Sequence, residues 1–126
     1  MADAYRDLIA WQKATSLALE VYQSTQTFPK DEIYGLTSQM RRAAVSIASN
    51  IAEGKGRYSR KEFVQFLYRA RGSLLELETQ LLIAAELHYL DSVIAKRIEM
   101  KTTELGRILN GLTKSIRESS NLAPES

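Results

Sequence analysis

Few side chains in this 126-residue sequence could support catalysis or bind a metal. There is no cysteine, and His88 is the single histidine, so thiolate sites and clusters of histidine ligands are excluded. Glu86 lies two positions from His88, and Glu76 lies two positions from Glu78. Residues two apart on a helix point to different faces, so neither pair forms a metal site or an acid–base pair by itself. We predict a capping or hydrogen-bonded histidine, no catalytic residue, no metal, no cofactor and no enzymatic activity.

A short basic segment carries the remaining candidate chemistry. Lys55, Arg57, Arg60 and Lys61 lie close together in the sequence, with Tyr58 among them. Cations at this density can neutralise phosphates, and an exposed tyrosine can stack on an unpaired base. A solvated loop whose bases offset nearby acids would have the same composition, and this alternative stays open.

The charge of the chain is unevenly distributed, although its net value is only +2. Residues 41–71 hold eight basic and two acidic residues, a formal +6, whereas the remainder holds nine basic and thirteen acidic residues, a formal −4. Such a basic region favours contact with nucleic acid. The candidate nucleic-acid-binding residues are Arg41, Arg42, Lys55, Arg57, Arg60, Lys61 and Arg69.

The clearest helical pattern in the sequence follows this basic segment. Ser59 and Glu62 fit a capping box, in which the Ser59 side chain accepts from the Glu62 amide and the Glu62 carboxylate reaches back. Apolar residues then recur at alternating spacings of four and three, which predicts a helix of roughly 45 Å with one apolar seam. The predicted seam comprises Phe63, Leu67, Ala70, Leu74, Leu77, Leu81, Ala84 and His88.

Three further amphipathic segments are predicted to be helical. The first covers about residues 7–27 and the second begins near Leu36, ending where Gly54 can supply a left-handed residue. The last begins near Asp91 or Ser92, either of which can cap it. The predicted apolar face of the first helix comprises Leu8, Trp11, Ala14, Ala18, Val21 and Tyr22.

These four helices and their short connections define the expected fold. Short loops make successive helices antiparallel, so we predict an all-α, antiparallel up-down-up-down four-helix bundle. Residues 1–118 are expected to form this single domain, and residues 119–126 a flexible C-terminal tail. The sequence contains no apolar leader and no apolar run of membrane-spanning length, so we expect a cytoplasmic protein with no membrane partner.

The third helix has more apolar surface than one bundle seam requires. A second stripe runs beside the seam, offset by about 100°. We predict that this stripe is buried against another copy of the chain, while a wide core face is the alternative. The candidate interface residues are Val64, Tyr68, Arg71, Leu75 and Leu82.

Several sequence runs resemble a known family. They are LIAWQKA at 8–14, EIYGLTSQMRRAAVSI at 32–47, NIAEG at 50–54 and ELE at 76–78, together with Arg57, Ser59, Glu62 and Phe63. In combination, over about residues 5–90, these runs resemble the 23S rRNA intervening-sequence proteins. The resemblance implies a homopentameric four-helix bundle without known catalytic activity. It also implies a similarity in fold to the accessory variability proteins of diversity-generating retroelements, which are basic pentamers that bind nucleic acid and a reverse transcriptase.

The family's second-loop motif falls on Asn50, Glu53, Arg57 and Ser59 of this sequence. Polar residues close to two helix ends usually satisfy backbone groups, so we assign Asn50, Glu53 and Ser59 to structure and only the bases to binding. The sequence thus predicts a homo-oligomeric, non-enzymatic scaffold associated with nucleic acid, with RNA preferred over DNA. The alternative is an oligomer that binds another protein and has no nucleic-acid role.

Overall fold

The computed structural model describes residues 4–122, and every regular element in this range is helical. Short 3-10 turns lie at Ala4–Asp7 and Lys30–Glu32. The four long helices are α1 (Ile9–Thr25), α2 (Leu36–Lys55), α3 (Arg60–Glu86) and α4 (Ser92–Leu122). The predicted all-α fold with four helices is therefore confirmed.

The helices pack as a four-membered ring. Each contacts its two neighbours, with α4 returning to α1, and no close backbone contact joins the diagonal pairs within residues 4–122. Midway along α2 and α3 the hydroxyls of Ser46 and Ser73 are 2.9 Å apart. Near the end of α2, Gly54 lies against Phe66, which is near the start of α3. Arg41 near the start of α2 likewise contacts Thr25 at the end of α1, and Tyr68 in the first half of α3 contacts Arg117 near the end of α4. Successive helices therefore run antiparallel, as in an up-down-up-down bundle.

The predicted seam of α3 forms much of the core. The Ser59 hydroxyl accepts from the Glu62 amide at 3.0 Å, which fixes the start of the helix as the capping box predicted. Apolar faces of the other three helices cover the seam. The seam residues that are buried are Phe63, Leu67, Ala70, Leu74, Leu77, Leu81 and Ala84.

The prediction that this seam ends at His88 is wrong. Helix α3 ends at Glu86, and His88 is exposed with a φ of 63°. The His88 amide donates to the Ala85 carbonyl at 3.0 Å, and the Tyr89 amide donates to the Ala84 carbonyl at 2.9 Å. These two hydrogen bonds around a left-handed residue form a Schellman motif, so His88 terminates the helix instead of packing in its core.

The predicted left-handed conformation of Gly54 is also wrong. Helix α2 continues through Gly54 to Lys55, and no glycine in the described part of the chain has a positive φ. A Cβ on Gly54 would lie 2.6 Å from the Phe66 Cβ and 3.0 Å from the Phe63 Cδ1. The missing side chain therefore permits α2 and α3 to approach closely at this end of the bundle.

Helix α1 is shorter than the predicted range 7–27, and its buried face differs in part. Tyr22, which was predicted to belong to the apolar face, is 42% exposed. Its ring lies 4.7 Å from the Arg41 guanidinium carbon, on the side of α2. Ala10 and Leu17 are buried instead, because the face that meets the core is rotated slightly from the predicted one.

The domain boundary at residue 118 falls inside a helix. Helix α4 continues to Leu122, and residues 123–126 lie outside the described residues. The flexible tail at 119–126 therefore stays a prediction for its last four residues, while residues 119–122 continue the helix.

Glu32 fastens the end of the bundle opposite to the basic segment. Its carboxylate accepts from the Leu36 amide at 3.0 Å and from the Tyr89 hydroxyl at 2.9 Å. The hydrogen bonds from Leu36 and Tyr89 lower the pKa of Glu32, and the bond to Glu32 raises the pKa of Tyr89. This arrangement caps α2 and joins it to the connection between α3 and α4.

Candidate functional site

The predicted basic segment lies at one end of the bundle, where α2 passes into α3. We call this surface the basic end and define it by Lys55, Arg57, Tyr58, Arg60 and Lys61. All five side chains are exposed, and the Tyr58 side chain is fully so. A connection of only four residues, 56–59, joins the two helices, so the rigid bundle fixes the position of this surface.

Aromatic rings beneath the basic end hold several of its cations in place. The Lys55 ammonium lies 5.8 Å from the centroid of the Phe63 ring. The guanidinium carbons of Arg57 and Arg69 lie 4.8 and 4.6 Å from the centroid of the Phe66 ring. These cation–π contacts bring Arg69, a predicted binding residue, to the same surface as the loop cations.

The cations of the basic end differ in their pairing. Arg57 Nη2 lies 2.8 Å from Glu53 Oε2 across one helical turn. Within the residues that the structure describes, Lys55, Arg60 and Lys61 form no ion pair. Three cations are thus left to attract an anionic partner, whereas part of the Arg57 charge is offset by its neighbour.

The residues assigned to structure in the second-loop motif make the expected local contacts. The Asn50 amide nitrogen donates to the Ser46 carbonyl at 2.8 Å and to the Ser46 hydroxyl at 3.0 Å. Glu53 pairs with Arg57, and Ser59 caps α3. These polar groups are occupied within the protomer and stabilise the ends of α2 and α3.

Two of the predicted binding residues lie elsewhere. Arg41 and Lys55 are fourteen residues apart on α2, or about 21 Å along its axis. The Arg41 guanidinium donates to Thr25 Oγ1 at 2.9 Å and to the Tyr22 carbonyl at 3.3 Å, so it joins α2 to α1. Arg42 lines a polar cleft of about 400 Å³ between α2 and α3. The structure therefore gathers five of the seven candidates and separates Arg41 and Arg42 from them.

A second basic surface was not found from the sequence. Lys114 and Arg117 on α4 line a cleft of about 600 Å³ together with Tyr68 and Arg71 on α3. Arg117 Nη1 donates to the Tyr68 hydroxyl at 3.1 Å, and Lys114 lies 3.9 Å from Glu118. These bases are far from Arg71 in the sequence, so only the antiparallel packing of α3 on α4 could reveal the cleft.

The second stripe of α3 lies outside the core of the bundle. Tyr68, Leu75 and Leu82 are 45%, 51% and 62% exposed, Arg71 is exposed, and Val64 is half-buried. We call these five residues the α3 stripe. Their exposure argues against a wide core face and leaves apolar surface available, while the interface itself stays a prediction.

Glu76 and Glu78 lie apart in the structure. Glu76 lines the cleft between α2 and α3, whereas Glu78 lines a different cleft between α3 and α4. His88 lies on the exposed turn after α3, as its capping interpretation predicted. In the part of the chain that the structure describes, no group of three acidic or histidine side chains could hold a metal ion. None of the helices described is long and apolar enough to span a membrane.

Comparison with known proteins places this architecture in a family. The model of the family described as 23S rRNA-intervening sequence protein matches residues 6–111. A crystal structure of a protein of unknown function from the S23 ribosomal protein family of Bacteroides thetaiotaomicron aligns with a TM-score of 0.76 and 22% identity. The alignment covers 84% of this chain and 99% of that one, which supports the fold. A search of curated proteins gave no match. Because the family match spans most of its length, the chain belongs to the 23S rRNA-intervening sequence protein family.

Proposed function

We propose that this protein is a cytoplasmic, non-enzymatic scaffold that assembles from five copies and binds nucleic acid, with RNA preferred, through its basic end. The observation that carries this proposal is the set of cations without an ion-pair partner at one end of the bundle. Lys55, Arg60 and Lys61 lie there beside the fully exposed Tyr58. Cations without an ion-pair partner gain the most from phosphate contacts, because no internal ion pair has to break.

The opposite end of the bundle is acidic, which supports the assignment of nucleic-acid binding to the basic end. The connections that lead into α2 and α4 carry Asp31, Glu32 and Asp91, α3 ends at Glu86, and Lys30 is the one lysine or arginine among these residues. A polyanion is repelled by this acidic end and attracted by the basic one, so the charge distribution orients the protein on nucleic acid.

Assembly is supported by the α3 stripe. Its exposed apolar side chains favour burial against another copy, since contiguous apolar surface is costly to leave in water. The number of five copies follows from the family resemblance. A rotationally symmetric ring would set all basic ends on one face and strengthen their combined field. A fold relationship to the accessory variability proteins of retroelements forms part of the proposal, although the net charge of +2 makes this chain less basic than those proteins.

The proposal is tested by RNA binding measured as fluorescence anisotropy at several salt concentrations. We expect wild-type binding to weaken as salt rises, and charge reversal of Lys55, Arg60 and Lys61 to glutamate to abolish most of it without altering assembly. Arg57 is left unchanged because its pairing with Glu53 stabilises the loop. Charge reversal of Lys30, Lys96 and Arg107, which changes the net charge equally at other positions, serves as the control.

The second candidate function is a protein-interaction oligomer. It is favoured by the exposure of Tyr68, Leu75 and Leu82 on the α3 stripe. RNA binding that is insensitive to salt, or absent at low salt, would overturn the nucleic-acid proposal and support this alternative.

A further inference from the structure

Tyr58 occupies an unusual position at the tip of the basic end. Its side chain is fully exposed, so the protomer covers neither face of its ring. The connection between α2 and α3 is held by hydrogen bonds on both sides of Tyr58. The Arg57 amide donates to the Gly54 carbonyl at 3.1 Å, and the Ser59 hydroxyl accepts from the Glu62 amide at 3.0 Å. The ring is therefore presented by a short, hydrogen-bonded turn between two long helices.

The surroundings of this ring distinguish it from the other highly exposed tyrosine. Tyr34, 94% exposed, lies close in sequence to Asp31 and Glu32 near the acidic end. Tyr58 instead has cations without an ion-pair partner on both sides in the sequence, Lys55 before it and Arg60 after it. An aromatic face flanked by cations is the arrangement by which proteins hold single strands, because bases stack on the ring while phosphates meet the charges.

We propose that Tyr58 is a stacking platform for an unpaired base of single-stranded RNA, with the adjoining phosphates held by Lys55 and Arg60. This inference rests on the proposed nucleic-acid function and adds a selectivity to it. In a duplex the faces of internal bases are covered by their neighbours, so phosphate and 2′-hydroxyl contacts remain available but stacking on those bases does not. The protein therefore prefers single strands to duplexes, and Tyr58 is the residue that produces the preference.

The test compares the binding of an unstructured RNA of about 12 nucleotides with that of a duplex several times longer, in which nearly all bases are internal and covered on both faces. Tyr58→Ala is expected to weaken single-strand binding about 5- to 150-fold and duplex binding little, because one stacked base is lost. Tyr58→Leu keeps the bulk without the π-face and should weaken binding similarly, whereas Tyr58→Phe should retain it. Tyr34→Ala is the matched control and should bind like wild type.

Salt dependence separates stacking from charge. Loss of a stacked base lowers affinity but leaves the slope of log affinity against log salt unchanged, whereas loss of a phosphate contact makes the slope shallower. If wild type binds RNA with a salt slope but Tyr58→Ala binds both RNAs as wild type does, or weakens both equally, the stacking inference is overturned and the proposed function stands. If wild type binds no RNA at low salt, both are overturned.

Discussion

At the scale of single residues, Glu20 shows how a carboxylate can fasten two helices. It belongs to α1 and is only 7% exposed, although carboxylate side chains are seldom buried unless they are paired. Arg97 Nε donates to it at 2.5 Å, and Lys101 donates to its other oxygen. Burial raises the pKa of Glu20, but the hydrogen bonds and charges of Lys101 and Arg97 outweigh burial and hold the pKa below its ordinary value.

This lowered pKa predicts how stability depends on pH. The folded protein binds the proton of Glu20 more weakly than the unfolded chain does, so the contribution is fully present above the unfolded pKa and is lost as pH falls through the folded pKa. Glu20→Gln should lower the free energy of unfolding by about 1–3 kcal/mol at neutral pH, through loss of charge-assisted hydrogen bonds. It should also flatten the decline of stability in acid.

Urea denaturation followed by circular dichroism, at fixed protein concentration and a series of pH values, measures both effects. Glu104→Gln is the matched control, because Glu104 lies 3.4 Å from Lys13 in an exposed pair between the same two helices. We expect the control to change stability by less than about 1 kcal/mol. A Glu20→Gln variant with wild-type stability at neutral pH would contradict this account.

At the scale of helices, Gly54 sets how closely α2 can pack on α3. A glycine near the end of an apolar pattern is typical of a helix cap, which is why the sequence favoured that interpretation. The need for glycine at this position comes from tertiary packing, because Phe66 of the next helix fills the space that a Cβ would occupy. No spacing within α2 contains that information.

The packing role of Gly54 predicts an unusual response to alanine. In an exposed helix, glycine to alanine is favourable by up to about 1 kcal/mol. At Gly54 the added Cβ meets the Phe66 Cβ rather than the end of a flexible side chain, so we expect Gly54→Ala to destabilise by about 1–3 kcal/mol. Gly111→Ala on α4 is the control, because a Cβ there would meet nothing within 4 Å and the residue lies outside the α3 stripe.

Thermal and urea unfolding of the two variants measure whether the added methyl group destabilises the packing of α2 on α3. We expect Gly111→Ala to equal or exceed wild-type stability, and Gly54→Ala to fall below it. Stabilisation by both substitutions would show that α2 and α3 have room to separate, contrary to the packing described.

The elements also show what sequence could and could not predict. The α3 seam was predictable through Ala84 because its periodicity is local and regular. His88 continues the same spacing, yet the left-handed turn that places it in solvent depends on backbone hydrogen bonds that periodicity does not encode. The basic end was predictable because its residues are neighbours in the chain. Lys114 and Arg117 were not, because their proximity to Tyr68 depends on the fold.

In the whole molecule, the unequal charge of the two ends and the exposed apolar side chains of α3 act together. The bundle has a basic end, an acidic end and the α3 stripe along its side. If copies meet through the α3 stripe by rotation, their basic ends share one face, and the affinity for a polyanion exceeds that of one protomer. Assembly is therefore the claim on which the proposed function depends most.

The most direct test of assembly is native mass spectrometry of wild type beside the Leu75→Glu, Leu82→Glu double variant. We expect a wild-type particle of five chains and smaller particles for the variant, with helical content unchanged, because both side chains are half-exposed in the protomer. The control is the Ile33→Glu, Tyr34→Glu double variant, whose residues are exposed in the connection at the end of the bundle, away from side-to-side contacts of a ring, and should leave the particle intact. A monomeric wild type, or a variant that assembles as wild type does, would contradict the account.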